Sequence, residues 1–135
     1  MLKQKTKTFE DDAELTEDAV VSLAGAENSS FESLSVSLGE IRKLKGVSGF
    51  ILRNETSAII DLNEQDKIIQ YAILSSQMHD SCQEIARQFN LGETESALVE
   101  GVNVKVLSMS LGTNTISVFM EKSATHAWVI KRILL

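Results

Sequence analysis

The sequence predicts an α/β domain of the α+β kind, with a single five-stranded antiparallel sheet flanked by helices on both faces. Three observations predict it. Apolar residues recur at helical spacing in three stretches, short β-branched runs lie between them, and Gly- or Asn-containing segments separate the runs. The resulting order is α-β-β-α-β-β-β-α. At 135 residues the chain has the size of one domain with one core.

The first helix is predicted to open the folded domain, which we place at residues 29–135. Ser29-x-x-Glu32 has the form of a capping box, in which each side chain accepts a backbone N–H at the start of the helix. An apolar residue then recurs every three or four positions, at Phe31, Leu34, Leu38, Ile41 and Leu44. The helix is expected to end near Lys45-Gly46.

Two short strands are predicted next, at Val47 to Leu52 and Ser57 to Leu62, joined by the polar turn Arg53-Asn54-Glu55-Thr56. Three more strands are expected after the long helix, at Ser96 to Glu100, Val102 to Ser110 and Thr115 to Met120. Ser123 is a good N-cap, so the last helix is expected to run from there to the C-terminus.

The long helix is predicted from Glu64 to Phe89, a stretch without Gly or Pro. A helical wheel places one broad, mostly apolar face on the sheet, formed by Ile68, Tyr71, Ala72, Leu74, Ser75, Met78, Cys82, Ile85, Ala86 and Phe89.

Two isoleucines, Ile69 and Ile73, fall on the opposite side of this helix. Burying each is worth about 1.5 to 3 kcal/mol, so they indicate a partner surface, for which we favour the same helix of a second copy. The alternative is that the helix is tilted or shifted and that the N-terminal arm covers these side chains.

Residues 1–28 are expected to form a flexible arm, because lysines near the start are followed by a dense acidic run from Glu10 to Asp18. The net charge of −6 argues against nucleic acid or an anionic membrane as the main partner. No run is long enough to insert into a bilayer, and the single cysteine, Cys82, fits a reducing compartment. A cytoplasmic location is expected.

Catalytic chemistry is not predicted. The histidines, His79 and His126, lie in no recognisable motif, and phosphate-binding and nucleophile motifs are missing from the sequence. His79 and Cys82 offer two zinc ligands where a structural site needs four, so a boundary histidine and a core thiol are favoured. His126 and Trp128 are interpreted as a helix-surface and a packing residue. We therefore expect no enzyme, no cofactor and no metal.

Lys45-Gly46-Val47-Ser48-Gly49-Phe50-Ile51-Leu52, the long helix, and Ala97-Leu98-Val99-Glu100-Gly101 together resemble the Roadblock (dynein light chain) family. The resemblance covers about residues 30–135 and implies a Roadblock/profilin-like fold. It also implies a homodimer, in which the strand around Ala97 pairs with its copy and the two long helices lie together.

On that resemblance, the dimer interface is expected at Ile69, Ile73, Ser76, Ala97, Leu98 and Val99. A docking platform is expected at Gln70, Gln77, Asp80 and Glu84. The partner implied is a Ras-like small GTPase, which in a prokaryote would be encoded nearby, and the role is that of a scaffold or regulator. The alternatives are a motor-complex adaptor subunit and a small-ligand sensor that uses Tyr71, Ser75 and His79. A hydrolase is disfavoured.

Overall fold

The computed structural model describes residues 31–134 and, at the N-terminus, the backbone of the two-residue segment Leu2–Lys3. The rest of the predicted arm and the predicted capping residue Ser29 lie outside the described residues.

The described elements follow the predicted order. The helices are α1 (residues 31–41 of the described part), α2 (Ile68–Gln88) and α3 (His126–Leu134), and a 3-10 turn, Gln65–Lys67, leads into α2. The strands are β1 (Leu2–Lys3), β2 (Val47–Arg53), β3 (Ala58–Leu62), β4 (Ser96–Glu100), β5 (Val104–Leu111) and β6 (Asn114–Glu121).

All strands belong to one antiparallel sheet of order β1-β3-β2-β6-β5-β4. The five predicted strands and the three helices are confirmed. The sheet also has a sixth strand that the sequence did not predict, because Leu2 pairs with Ile60 and Lys3 with Ile59. Two residues in a lysine-rich stretch are too few to show the alternation of a strand.

One face of the sheet is covered by α1 and α3. Phe31, Leu34, Leu38 and Ile41 of α1 are buried, as their spacing predicted, together with Val129 and Ile133 of α3. They pack on the side chains of that sheet face, Val47, Phe50, Leu52, Ile59, Leu107, Met109, Ile116, Val118 and Met120. This is the larger of the two apolar clusters in the described part.

The other face is covered by α2. The ring of Tyr71 stacks on that of Phe119, with 4.4 Å between the ring centroids, and Met78 is buried against the same cluster. Beside the rings, the hydroxyl groups of Ser75 and Ser117 share a buried hydrogen bond. Helices therefore lie on both faces of the sheet, as predicted.

The two halves of the chain meet at the β2–β6 pair, in the middle of the sheet. Ser48 on β2 donates a hydrogen bond of 3.1 Å to the carbonyl oxygen of Phe119 on β6. The register of this pair shifts between Val47 and Gly49. A Cβ atom at Gly49 would lie 2.4 Å from the carbonyl oxygen of Asp61 on β3. Glycine is therefore required where β2 and β3 approach at this irregularity.

The predicted start of the last helix was wrong. Helix α3 begins at His126, three residues after Ser123, because a turn closed by a hydrogen bond from Ala124 N–H to the Glu121 carbonyl oxygen comes first. Among residues 31–134, no helix combines the length and the apolarity needed to cross a bilayer.

Candidate interaction surface

The outer face of α2 exposes two isoleucines. Ile69 is 74% exposed and Ile73 is 53% exposed, although the same helix buries Ser75 and Met78 against the sheet. Isoleucines one turn apart lie on one side of a helix. Because α2 already packs on the sheet by its opposite side, nothing in the described part of the chain covers these two side chains.

The same face becomes polar towards the C-terminal end of α2. Ser76 is half-buried, whereas the outer side of the helix also carries four exposed polar residues, Gln70, Gln77, Asp80 and Glu84. Along this side, an apolar half with Ile69 and Ile73 is thus followed by an acidic half with Asp80 and Glu84. The apolar half of this surface is suited to self-association, and the acidic half is suited to a cationic partner.

Glu84 is held as an anion by its neighbours on the helix. Its carboxylate accepts hydrogen bonds from the Arg87 guanidinium and from the side-chain amide of Gln88, the latter at 3.1 Å. The hydrogen bond from Arg87 is the main reason why the pKa of Glu84 lies below its ordinary value. The acidic half of the surface therefore keeps this charge at neutral pH.

Strand β4 forms the edge of the sheet opposite β1 and pairs only with β5 among the described strands. Ala97 packs on the α2 side of the sheet and Leu98 on the α1–α3 side, so both side chains are partly buried. Val99 is 49% exposed. What β4 offers a partner is thus its free backbone edge and the side chain of Val99.

The wheel prediction was wrong for two residues near the end of α2. Ile85 and Phe89 were expected against the sheet but are 52% and 68% exposed. The apolar cluster under α2 includes no helix residue beyond Met78, and in the last turns of the helix only the small side chain of Ala86 is buried. They form a second exposed apolar pair on a different side of the helix.

A buried lysine close to β4 was not predicted. The ammonium group of Lys105 lies 3.0 Å from Nδ1 of His126 and 3.9 Å from the carboxylate of Glu100. His126, expected at the helix surface, is therefore bonded to a neighbouring strand. No local sequence pattern signals these contacts, because the β4–β5 register brings Glu100 to Lys105 and the position of α3 against the sheet brings His126 to it.

The candidate zinc ligands do not form a cluster. Cys82 is half-buried, and its backbone carbonyl accepts a hydrogen bond of 2.9 Å from the Thr94 hydroxyl. Within the part of the chain that the structure describes, no three His, Cys, Asp or Glu side chains are placed to hold a metal ion. His79 and Cys82 therefore gain no further ligand from the fold.

One of the polar groups that a ligand sensor would use is already engaged in the core, because the Ser75 hydroxyl is bonded to that of Ser117. The ring of Tyr71, a second candidate, lies flat on the ring of Phe119.

Comparison with solved structures identifies the fold as the Roadblock fold. The chain is similar to the Roadblock/LC7 domain from Streptomyces avermitilis, with 12% identity, a TM-score of 0.60 and coverage of 78% of this chain and 87% of that one. It is also similar to Myxococcus xanthus MglB, with 15% identity, a TM-score of 0.63 and coverage of 76% and 87%. A third similar structure is the gliding protein MglB of Thermus thermophilus, with 12% identity, a TM-score of 0.62 and coverage of 77% and 82%.

No protein-family model matches the sequence, and no curated protein matches it. At identities of 12% to 15% the structural likeness establishes the fold, and function has to be argued from the surface itself.

Proposed function

We propose that the chain is a non-enzymatic interaction module that forms a homodimer through α2 and β4 and docks a Ras-like small GTPase on the polar part of α2. The observation that carries the proposal is the exposure of Ile69 and Ile73 on a helix whose opposite side is already packed. The Roadblock fold and the sequence resemblance to that family support the choice of a GTPase as the partner.

Self-association is the simplest way to cover the two isoleucines. In a twofold dimer the same patch is used by both copies, so an apolar stripe meets an identical apolar stripe. Burial contributes about 1.5 to 3 kcal/mol for each isoleucine, before the entropic cost of association. Pairing of the β4 edges, with Val99 beside its copy, would add backbone hydrogen bonds and remove an exposed strand edge.

The acidic half of α2 is the part that we assign to the GTPase. Asp80 and Glu84 lie beyond the isoleucines, and two copies of the helix side by side would present both carboxylates twice. Such a surface attracts a partner face that carries lysine or arginine, and the attraction acts mainly on the rate and specificity of association. A scaffold of this kind needs no catalytic residue of its own.

The dimer is tested by light scattering on the full chain and on the double variant Ile69→Asp, Ile73→Asp. The expected result is a dimer that dissociates in the variant, because two carboxylates would be buried without a partner. Ile85→Asp, Phe89→Asp is the matched control, since it places the same charges on another exposed side of the same helix. A wild-type monomer, or equal loss of the dimer in both variants, would contradict the proposed interface.

GTPase binding is tested by calorimetry with a purified Ras-like small GTPase, loaded with GDP or with a non-hydrolysable GTP analogue. Asp80→Lys, Glu84→Lys is expected to abolish binding while leaving the dimer intact. The control, Glu32→Lys, Glu55→Lys, reverses two exposed charges away from α2. Binding that survives the α2 reversal would rule out this surface as the docking site.

A further inference from the structure

Trp128, the one tryptophan of the chain, is 62% exposed on α3. It borders a cavity of about 240 Å³ between the α1–β2 turn and the start of α3. The cavity walls are largely apolar and include Leu44, Val47, Ala124 and Val129. The sequence interpretation of Trp128 as a packing residue does not account for an indole that stays largely in solvent. A rigid aromatic ring beside an apolar hollow is typical of a protein-binding hot spot.

The shape of the cavity is fixed by the backbone. Gly46 has a φ of 89°, and a Cβ atom there would lie 3.0 Å from the Cβ of Ala124. The carbonyl oxygen of Gly46 also accepts a hydrogen bond of 2.7 Å from Glu121 N–H. The turn after α1 is therefore tied to the segment that precedes α3, which holds the two sides of the hollow together.

Three cationic side chains belong to the elements that border the cavity. Lys45 lines it, and Lys131 and Arg132 lie three and four residues after Trp128, on the same side of α3. None of these three cations forms an ion pair with a carboxylate of residues 31–134. No acidic side chain is present among the described residues that line the cavity. Cationic residues are thus grouped near Trp128, although the net charge of the whole chain is −6.

The opposite side of the sheet has the opposite charge. Carboxylates follow the length of α2, from Glu64 and Asp66 just before its start to Asp80 and Glu84 further along. Glu64 and Glu84 form ion pairs with Lys67 and Arg87, so the carboxylates of Asp66 and Asp80 are the ones that disfavour an acidic ligand on the α2 side. The two surfaces are suited to different partners and lie on different faces of the sheet.

We propose that the Trp128 cavity is a second docking site, which binds an acidic amphipathic segment of a partner protein. A large apolar side chain of the segment enters the hollow beside the indole. Carboxylates on either side of it pair with Lys45, Lys131 and Arg132, since charge-assisted hydrogen bonds to such groups are the stronger ones. The proposal goes beyond the function assigned to α2 and does not depend on the dimer.

The probe is a short synthetic peptide that carries several aspartates and glutamates around one phenylalanine, lacks tryptophan and has a fluorescent label. Binding to the full chain is followed by anisotropy and by the emission of Trp128. We expect saturable binding in the micromolar range, weakened by salt, with a blue shift of Trp128 emission as the indole leaves water. An analogue with Asn and Gln in place of the acids is expected to bind at least about tenfold more weakly.

Two variants locate the site. Trp128→Ala, and the double change Lys131→Glu, Arg132→Glu, are each expected to weaken peptide binding by about tenfold or more, as at interface hot spots. Val36→Ala is the control for an exposed apolar residue on α1, and Arg53→Glu is the control for charge. Thermal unfolding of each variant checks that it is folded. Unchanged affinity in a folded Trp128→Ala variant would overturn the proposal, as would equal binding of the uncharged analogue.

Other occupants give different results. The chain's own acidic run can be tested by replacing its acids, from Glu10 to Asp18, by their amides. If the peptide binds only that variant, and Trp128 emission shifts to the red in it, the occupant is this run and the partner proposal fails. A Trp128 emission that depends on protein concentration alone would instead make a second copy the occupant. If the α2 variants lose the dimer but still bind the peptide, this site acts independently of the proposed function.

Discussion

The hydroxyl oxygens of Ser75 on α2 and Ser117 on β6 lie 2.6 Å apart, and both side chains are buried. Each hydroxyl satisfies the other in a region that is otherwise apolar. Replacing either serine by alanine leaves one hydroxyl without this partner, so Ser75→Ala or Ser117→Ala is expected to lower the free energy of unfolding by about 1 to 3 kcal/mol. Chemical denaturation measures the change.

The double variant Ser75→Ala, Ser117→Ala is expected to lose less than the sum of the two single changes, because no hydroxyl is then stranded. Ser81→Ala, at an exposed position of α2, is the control and is expected to be neutral. If the loss of unfolding free energy in the double variant equals the sum of the two single losses, the two hydroxyls do not interact.

Gly49 is expected to be among the positions least tolerant of a side chain. Its Cβ would meet the carbonyl oxygen of Asp61 at 2.4 Å and the Cα of Leu62 at 2.7 Å, so β2 and β3 would have to separate. Gly49→Ala should destabilise the fold by about 3 kcal/mol or more. Gly39→Ala is the matched control: it lies in α1 with nothing within 4 Å, and it should stabilise by about 0.5 to 1 kcal/mol. Thermal unfolding distinguishes the two outcomes.

Val99 tests the edge of β4 separately from the helices. In an antiparallel pair of β4 strands, a lysine at this position lies near the lysine of the copy, and like charges across a strand pair are destabilising. Val99→Lys is therefore expected to weaken the dimer in sedimentation experiments. Val102→Lys, in the exposed turn after β4, is expected to leave it unchanged. Equal dimerisation of both variants would remove β4 from the interface.

Arg87 lowers the pKa of Glu84. The pKa of Glu84 is lowered in the folded chain, so any stability it contributes is present at neutral pH and is lost as the pH falls through that lowered value. Arg87→Met removes the main hydrogen bond and should raise the pKa of Glu84 towards its ordinary value. The pKa is measured by following the side-chain carboxyl carbon of Glu84 by NMR through a pH titration. An unchanged titration would mean that the Arg87 contact is not formed in solution.

The order of the elements was predictable because each has a local signal. The spacing of Phe31, Leu34, Leu38 and Ile41 predicted α1, and all four are buried. The exposed position of Ile69 and Ile73 was also predictable, since a wheel shows which side chains share a face.

Features that depend on distant partners could not be predicted in this way. A wheel does not show how far the sheet extends under a helix, so Ile85 and Phe89 were placed inside although they are exposed. The contact of Lys105 with His126 depends on how α3 lies against the sheet, and the surroundings of Trp128 depend on how the α1–β2 turn meets α3. The roles of the α2 and β4 residues in binding stay predictions.

The position of β2 between β3 and β6 has a consequence for the newly made chain. The partners Ser48 on β2 and Phe119 on β6 are 71 positions apart. Strand β2 therefore cannot pair with β6 until β6 has been synthesised. At about 5 to 20 residues per second, that delay is roughly 4 to 14 s. During it, the β2–β3 hairpin has an apolar strand, with Phe50, Ile51 and Leu52, whose inner edge is unpaired. The nascent hairpin therefore exposes an unpaired strand edge before its own partner strand has been made.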